Sequence, residues 1–573
     1  MEWNFWLILW GLIIASLAWF IIVKVSGRNL SLRDHKPSTV PGDHQWVSIS
    51  QTSLSTCIFC NKNLDGWFQL NGVQCQVCQV SSHLLCSRNL KGCKQVSENT
   101  FTDFFYHQWQ EIYLPLTAKC IRCNSLCGSA YEIKSFQCLW CQKTVHQKCC
   151  EFADKICSPP SYAILPAFVQ MNPLKIKKLN PKATPVVVVI NPKSGGQVGH
   201  MALRSFYSFL NPIQVLNVYQ GGLERLKAFQ GIKNLRILAA GGDGTVSRLL
   251  SFLYDESNWE QEIPPVGIFP LGTGNDLAFT LNWGKGVSSR ESKNFESMKE
   301  VSKISLKSLF SAYSTYLDRW NISICTSKSK KSQIMCNYLG LGVDAKIAHD
   351  FHSLRESRPY LFQSRSGNRL IYSQLGGKEF FNRMCKNFSS RLTVKCDRAK
   401  LKLPNLEGII FLNIESYGGG VDMWGDSEML SESSASESVT SPGKKEYAVW
   451  RKQFRNDNMI ELIGVTSAFH LGECQVGLSQ TIKLAQGRSF TIEIKGRGKI
   501  PIQIDGEPEI FKGPATIEIE RKDQVHMLSR TTERFHKVAR KVQDVLNWAE
   551  ETHILDSNQK MLLLQEFSKR SRI

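Results

Sequence analysis

The sequence contains no G-x-x-x-x-G-K-[ST] segment and no H-R-D segment paired with D-F-G. Their absence excludes a P-loop enzyme and a protein kinase. Acidic residues are scarce beside basic ones, 50 Asp and Glu against 70 Lys and Arg, which leaves a formal net charge of +20. A basic balance of that size points to a polyanionic partner, either nucleic acid or an anionic membrane face. Long uncharged apolar runs are also few. The run that decides between the two anions is residues 3–23, rich in Ile, Leu, Trp and Phe. At about 1.5 Å rise per residue it spans roughly 30 Å, the thickness of a bilayer's hydrocarbon core. The marks of a cleaved signal peptide are missing: the start is acidic (Glu2), the run is long, and four tryptophans interrupt it. Lys24, Arg28, Arg33 and Lys36 follow it. The expectation is therefore a single-pass anchor with the body in the cytosol, at the endoplasmic reticulum or plasma membrane. No nucleic-acid partner is expected. At 573 residues the chain is too long for one core, so three or more units are expected.

Cysteine is nearly absent outside one region: fourteen of the 19 lie between Cys57 and Cys157. A reducing cytosol argues for metal rather than disulfides. One spacing is used twice. The first copy is His44, Cys57-x2-Cys60, Cys75-x2-Cys78, His83, Cys86 and Cys93; the second is His107, Cys120-x2-Cys123, Cys138-x2-Cys141, His146, Cys149 and Cys157. Each copy supplies six thiolates and two imidazoles, enough for two closed tetrahedral Cys3His sites without an open position. Closed sites are structural, because a unit of this size cannot bury enough core and zinc supplies the missing folding energy. About four zinc ions are expected. Cys127 and Cys150 fall outside the template and read as free thiols.

After a proline-containing linker the pattern changes. VVVVINPKSGG, RILAAGGDGTVSRLLSFL and VGIFPLGTGNDLAFTL each run from an apolar strand into a glycine turn. Buried strands alternating with helices imply an α/β unit with a parallel sheet, its sites at the strands' carboxyl ends. Consecutive glycines let backbone N–H groups close on phosphate oxygens, and the next helix adds its positive dipole end. Gly241, Gly242 and Gly244 form one such cradle and Gly272, Thr273 and Gly274 another; Asn191 stands in the first turn, and Asn275 and Asp276 follow as polar ligands. Asp243 sits where repulsion from phosphate would be costly, unless it faces Mg²⁺ or accepts a proton. Thr245 is placed to cap the helix and bond a phosphate.

The two zinc spacings resemble the cysteine-rich module of lipid-activated kinases, which reads diacylglycerol or phorbol ester at membranes. That resemblance implies pairing His44 with Cys75, Cys78 and Cys93, and Cys57 with Cys60, His83 and Cys86. It likewise implies His107 with Cys138, Cys141 and Cys157, and Cys120 with Cys123, His146 and Cys149. The loops that read lipid in that family are not matched: the first module has Asn71–Gly72 and the second lacks the glycine. The modules are therefore read as structural or docking units. The series GGDGT, PLGTGNDL, LNWG, LDRW, NYLGLGVDAKIAHDFHSLRE, LEGIIFLNI, GGGVDMWG and IQIDGEP resembles the diacylglycerol kinase family, nearest its membrane-anchored epsilon and plant types. The same core occurs more remotely in sphingosine, ceramide and NAD kinases.

The resemblance implies an ATP- and Mg²⁺-dependent kinase that makes phosphatidic acid from membrane diacylglycerol, the rivals being a sphingoid or ceramide kinase and an inactive scaffold. It implies that Gly241 to Thr245 bind the ATP phosphates, that Asn275 and Asp276 belong to the nucleotide and metal network, and that Asp318 of LDRW belongs to the Mg²⁺ network. For the general base it offers two acids, Glu507 of DGEP as in soluble bacterial relatives and Asp243 as in sphingosine kinases; the reading adopted is Glu507 as base and Asp243 as metal ligand. The fold class expected is multidomain: an anchor (1–24), two zinc modules (44–93 and 107–157), a linker (158–184), an α/β nucleotide part (185–320) and a β-rich lid (321–528). A Ser/Glu-rich insertion at 426–446 should be disordered. The tail, 531–573, places Phe535, Val538, Val542, Val545 and Trp548 at helical spacing among basic residues. Such a helix suits anionic lipid or calmodulin, or packing back on the lid.

Overall fold

The structure is a computed structural model that describes residues between 44 and 570. Left out are 49–56, 65–71, 95–104, 128–134, 358–384, 426–449 and 531–541, with further gaps of four residues or fewer. The described residues fall into two compact units: one from 1–193, 197–235 and 289–303, the other from 194–196, 236–288 and 304–573.

In the first unit, two modules repeat one plan of three short antiparallel strands and a single helical turn. The first has β1 (Trp46–Ser48), β2 (Gly72–Cys75), β3 (Ser81–His83) and α1 (Leu84–Ser87). The second has β4 (Trp109–Ile112), β5 (Ser135–Cys138), β6 (Thr144–His146) and α2 (Gln147–Cys150). The buried apolar residues of the second module are little more than Leu114, Cys120, Cys127 and Val145 in one cluster and Cys138, Trp140 and Cys157 in another. A core that small does not hold a fold by hydrophobic burial alone. After a two-stranded pair, β7 (Val169–Gln170) and β8 (Lys175–Ile176), comes β9 (Val186–Ile190), buried at every position. Helix α3 (Val198–Phe209) crosses over to β10 (Val215–Asn217), which lies parallel to β9.

Side chains lash this unit together. Gln214 accepts from Ile164 N at 2.7 Å and donates to Tyr162 O and Val186 O, holding residues 162–164 against β9. Lys94, from the end of the first module, is 3% exposed. Its ammonium donates to Tyr207 O at 3.1 Å and Leu210 O at 2.6 Å, and sits 4.5 Å from the ring centroid of Trp140 in the second module. Gln142 donates to Ser208 O at 2.9 Å. Both modules thus satisfy carbonyls at the carboxyl end of α3, where a helix lacks internal donors and its dipole favours a cation.

The second unit continues with a short helix's worth of parallel α/β and two large sheets. Before it, α4 (Gly222–Leu226) closes the first unit's strand pair. Strand β11 (Arg236–Gly241) leads into α5 (Asp243–Ser251), which ends in a π-helical turn, and lies parallel to β12 (Val266–Pro270). Then come α6 (Asp276–Thr280), α7 (Phe295–Ser311, of which residues 295–303 belong to the first unit), β13 (Tyr313–Thr326), β14 (Lys330–Met335), β15 (Tyr338–Gly342) and α8 (Val343–Ser357). The rest is β16 (Leu392–Cys396), β17 (Ala399–Lys400), β18 (Gly408–Leu412), β19 (Ile460–Val465), α9 (Ala468–Gln475), β20 (Ile482–Gly487), β21 (Ser489–Ile494), β22 (Lys499–Ile504), β23 (Glu507–Lys512) and β24 (Ala515–Ser529).

Strand β24 pairs with β12 in parallel and with β13 and β21 antiparallel, so one sheet joins the parallel strands β11 and β12 to the antiparallel strands that follow. Six antiparallel strands in the order β20-β19-β18-β15-β22-β23 make the other sheet. The core lies between these sheets, where Phe411 of β18 meets Phe490 of β21 edge to face at 5.1 Å. Arg319 is fully buried and paired with Asp255 and Asp523, each through two of its nitrogens' hydrogen bonds. That fork geometry is what lets a guanidinium sit inside a core.

One expectation is overturned. Among the described residues no helix is long and apolar enough to cross a membrane, which contradicts the single-pass placement. The run at 3–23 on which it rested, and the insertion at 426–446, lie outside the described residues. In the tail, Phe535 and Val538 also lie outside them; Val545 and Trp548 are exposed, and α10 (Ser557–Arg570) follows.

Candidate active site and zinc sites

The apolar strands β11 and β12 end side by side, and Leu271 N donates to Gly241 O at 2.9 Å. Their two glycine turns are thereby pressed backbone to backbone. A Cβ on Gly272 would stand 2.6 Å from the Cα of Gly242, and one on Gly241 would stand 2.4 Å from Thr245 Oγ1. Any larger residue would push the turns apart. Gly242 caps α5 in an extended conformation without a side chain, so the amino end of that helix stays bare for an anion. The Thr245 side chain packs against Gly241.

The second turn is differently used. Asn275 adopts a left-handed conformation (φ 59°), and its Nδ2 donates to Gly272 O and Lys285 O, which locks the turn. The first amides of α6, Asp276 N and Leu277 N, donate to the two oxygens of Asp243 at 3.0 and 3.2 Å. This helix end is therefore capped by the acid of the first turn. Thr273 and Gly274 are partly exposed beside it, a Cβ on Gly274 falling 3.6 Å from Asp243 Oδ2. Burial, and then the charge of Asp276, raise the Asp243 carboxyl to about 7 against the two amide bonds.

Asp276 itself is buried and fully engaged. It accepts from Ser416 Oγ and Gly419 N, both at 2.7 Å, and from Tyr338 OH at 3.1 Å. Asp505 accepts from three successive amides, Cys336, Asn337 and Tyr338, at 2.7 to 3.1 Å. Asp505 (φ 50°) and Gly506 (φ 83°) make the two-residue turn between β22 and β23, a conformation that asparagine, aspartate and glycine tolerate best. Gln503 accepts from Gly506 N and donates to Asp344, which also takes the Tyr417 hydroxyl. The turn so fixed presents Glu507, exposed, with Oε1 3.7 Å from where a Cβ on Gly244 would lie. Of the expected residues, Gly241, Gly242, Asp243, Gly244, Thr245, Gly272 to Asp276 and Glu507 are thus brought together.

Asp318 is fully buried in another group: it accepts from Asn458 N at 2.8 Å and faces Arg521 Nε at 3.3 Å. Its neighbour Asp457 is raised to about 6, by burial first and then by the charge of Asp318. Asn191 belongs to the first compact unit, where its Oδ1 accepts from Lys193 N at 3.0 Å. Sequence reasoning missed Asp505, Tyr338, Ser416, Gly419 and Gln503. Asp505 stands in the quoted IQIDGEP segment and Tyr338 in NYLGLG, but a backbone amide as partner leaves no mark in a sequence.

The cysteines and histidines converge as well. Cys57, Cys60, His83 and Cys86 form one group, His107, Cys138, Cys141 and Cys157 a second, and Cys120, Cys123, His146 and Cys149 a third, with ligand atoms in each within 4.8 Å. His44, Cys75 and Cys93 form a fourth; Cys78 lies outside the described residues. Sγ atoms stand 3.7 Å apart in Cys75–Cys93 and 3.8 Å in Cys138–Cys157, too far for a disulfide. A tetrahedral ion with Zn–S of about 2.3 Å requires an S–S edge of about 3.8 Å, so the donor set fits zinc. His146 turns Nδ1 to Cys123 and Cys149, and its Nε2 lies 3.0 Å from Leu126 O, which selects the tautomer that offers Nδ1. Burial raises Cys120, but the amides of Cys123, His146 and Arg122 outweigh it and hold that thiol down at about 6.

Comparison with known proteins bears on the same residues. The model of the diacylglycerol kinase catalytic domain matches residues 185–307, that of the diacylglycerol kinase accessory domain 334–508, and that of the phorbol esters/diacylglycerol binding domain 107–160. The chain is 33% identical to a Caenorhabditis elegans protein named "Probable diacylglycerol kinase 3" over 85% of its own length and 64% of that protein's. It is 30% identical to diacylglycerol kinase 2 of Arabidopsis thaliana, over 92% of this chain and 89% of the other. It is 35% identical to diacylglycerol kinase 1 of Arabidopsis thaliana, over 68% and 50%. The chain therefore spans under two thirds of the first and third of these relatives and most of the second.

Proposed function

The chain belongs to the diacylglycerol kinase family, and from that premise we propose that it phosphorylates 1,2-diacylglycerol with ATP, releasing phosphatidic acid and ADP. The observation that carries this reading is the meeting of three things: the bare amino end of α5 at Gly242, the carboxylate of Asp243, and Glu507 overhanging Gly244. The amino end of α5 with Gly244 holds the terminal phosphate. The diacylglycerol hydroxyl oxygen forms the new bond to phosphorus, the bond to the β–γ bridging oxygen breaks, and ADP leaves with that electron pair. Glu507 takes the hydroxyl proton, being the exposed acid of the group and the one not tied by backbone amides. Such transfer is mostly positioning and charge neutralisation.

Mg²⁺ carried with the nucleotide supplies the neutralising charge, and Asp243, crowded by Asp276 and Asp505, is the carboxylate suited to it. Asp276 and Asp505 are read as positioning residues, since each accepts from three donors where Asp243 accepts from two amides. Asp318 is read as a structural acid of the lid rather than a Mg²⁺ ligand in contact with nucleotide. The two cysteine modules hold about four zinc ions and serve as structural bodies, a reading supported by the grip of Lys94 and Gln142 on α3. The exposed Val545 and Trp548 suit an anionic lipid surface or calmodulin.

The test is transfer of label from γ-labelled ATP to diacylglycerol, ceramide and sphingosine offered in parallel in mixed micelles. Label in phosphatidic acid is expected. Equal or greater transfer to ceramide or sphingosine would convert the protein to a sphingoid or ceramide kinase, and none to any of them to a scaffold.

A further inference from the structure

At one end of the second unit the strands set cation against cation. Strands β21 (Ser489–Ile494) and β22 (Lys499–Ile504) are joined by residues 495–498, so that the chain there reads KGRGK. Lys495 N donates to Arg391 O at 2.9 Å, which continues the β16–β21 register and sets these two residues opposite each other. Lys499 stands opposite Lys512 in the β22–β23 hairpin, and Gly513 N donates to Gly498 O at 3.1 Å. Like charges placed opposite on a sheet are destabilising. Lys495, Arg497, Lys499 and Lys512 are exposed and Arg391 is half-buried. The Nη2 of Arg391 is buried without a hydrogen-bond partner, 2.8 Å from where a Cβ on Gly498 would stand. A buried donor left unpaired is a further cost to the fold.

Strands β16, β21, β22 and β23 carry only three acids, Glu493, Glu507 and Glu509. Glu507 begins β23, at the other end of the hairpin from Lys512. Glu493 is held by Lys395 at 2.7 Å, with Lys495 further off, and Glu509 by Lys331 at 2.5 Å. Among the described residues none of the five cations has a carboxylate within ion-pair distance. We propose that Arg391, Lys495, Arg497, Lys499 and Lys512 form an electrostatic contact with an acidic membrane face, apart from the residues around Asp243. Four of the five stand exposed on a tip, where they meet a surface of many charges rather than enclose a single anion. No aromatic stands among them to stack a nucleic-acid base. The hairpin they crown has six residues in each strand, about 20 Å, and its other end is the turn that presents Glu507. Lying along the membrane, it keeps the tip on the headgroups and leaves Glu507 to the acceptor. The choice of a lipid face rests on the lipid-kinase reading, whose acceptor lies in the same bilayer.

The experiment sediments the full chain with vesicles of phosphatidylcholine, alone or mixed with phosphatidic acid, at about 0.1 M salt. The quantity read is partition onto acidic vesicles divided by partition onto neutral ones, which cancels any contact that is not electrostatic. For Arg497→Gln/Lys499→Gln/Lys512→Gln this ratio should fall roughly 100-fold, the share of three cations at an acidic face. The wild-type ratio should fall towards one at about 1 M salt. Turnover on a monomerically dispersed short-chain diacylglycerol should not change, because the tip lies at the other end of the hairpin from Glu507. Lys512→Glu separates a contact from a folding role: it sets opposite charges across the hairpin, so exchange of the β22–β23 amides should slow while the ratio falls. An unchanged ratio in the triple variant would overturn the contact, and so would loss of dispersed turnover alongside it, which would assign the cations to the fold. A wild type indifferent to acidic vesicles that binds inorganic phosphate in dialysis would also overturn it, in favour of a soluble anion. A wild type that prefers acidic vesicles yet phosphorylates no lipid would sink the kinase reading and leave the contact standing.

Discussion

Replacing Lys94 with methionine removes a charge and three hydrogens while keeping nearly the same length of chain. In the wild type the ammonium satisfies Tyr207 O and Leu210 O at the end of α3 and lies over Trp140. The variant leaves two buried carbonyls short of a donor, at about 1–3 kcal/mol each. It also gives up a cation–π contact of about 1–2 kcal/mol. Against this, a buried ammonium no longer needs to be desolvated, which returns part of the loss. A net penalty of about 2–4 kcal/mol is expected, and Gln142 still holds Ser208 O. A chain of several units does not unfold in one step, so a single melting temperature is the wrong readout. Native-state hydrogen exchange of the α3 amides is the right one, because it reports local opening. At about 1.4 kcal/mol per tenfold, exchange from residues 203–210 should speed up roughly 30- to 700-fold. Exchange in α3 that is unchanged in a zinc-replete variant would show that the modules do not brace this helix.

Gly272→Ala should abolish turnover in a folded chain, because its Cβ would stand 2.6 Å from the Gly242 Cα and pry the two turns apart; retained activity would show that their contact is not needed. Glu507→Gln should lower kcat about 100- to 10,000-fold with little change in KM for ATP, the range for loss of a general base; a rise in KM alone would place it in binding. The Asp243 carboxyl is raised from 3.8 to about 7, so its protonated form is the one the empty fold prefers. Its contribution to stability is full below about pH 4 and is lost as pH rises through about 7, while Mg²⁺ favours the ionised form. Affinity for Mg²⁺–nucleotide should therefore climb with pH up to about 7, and Asp243→Asn should flatten that profile; an unaltered profile would assign the titration to another group. Elemental analysis should return about four zinc ions per chain, with chelation loosening α3 as Lys94→Met does; two or fewer ions would refute the pairing.

Much of this was legible in the residues because it is local. The apolar runs at 186–190, 236–241 and 266–270 read as buried strands, and all three are. The glycines following the last two read as turns that must approach something closely; what they approach in the structure is each other. The ligand spacing of the cysteine modules repeats because a strand, a knuckle and one helical turn repeat, and each is set by neighbours a few residues away.

The tertiary structure decided the rest, and for one reason. A carboxylate's role depends on which donors reach it, and most donors here are main-chain amides that any residue can supply. Asp243 became the cap of the helix after the other glycine turn because parallel pairing of β11 with β12 put Asp276 N and Leu277 N beside it. Asp318, equally acidic in sequence, was drawn into a pair with Arg521 by the pairing of β13 with β24. The pairing that brings β24 to β12, some 260 residues earlier, merges the parallel strands β11 and β12 with antiparallel strands from the far end of the chain in one sheet. Residue type and spacing set the local elements and the zinc ligands; long-range strand pairing chose the partners of the acids and the side of each helix that water sees.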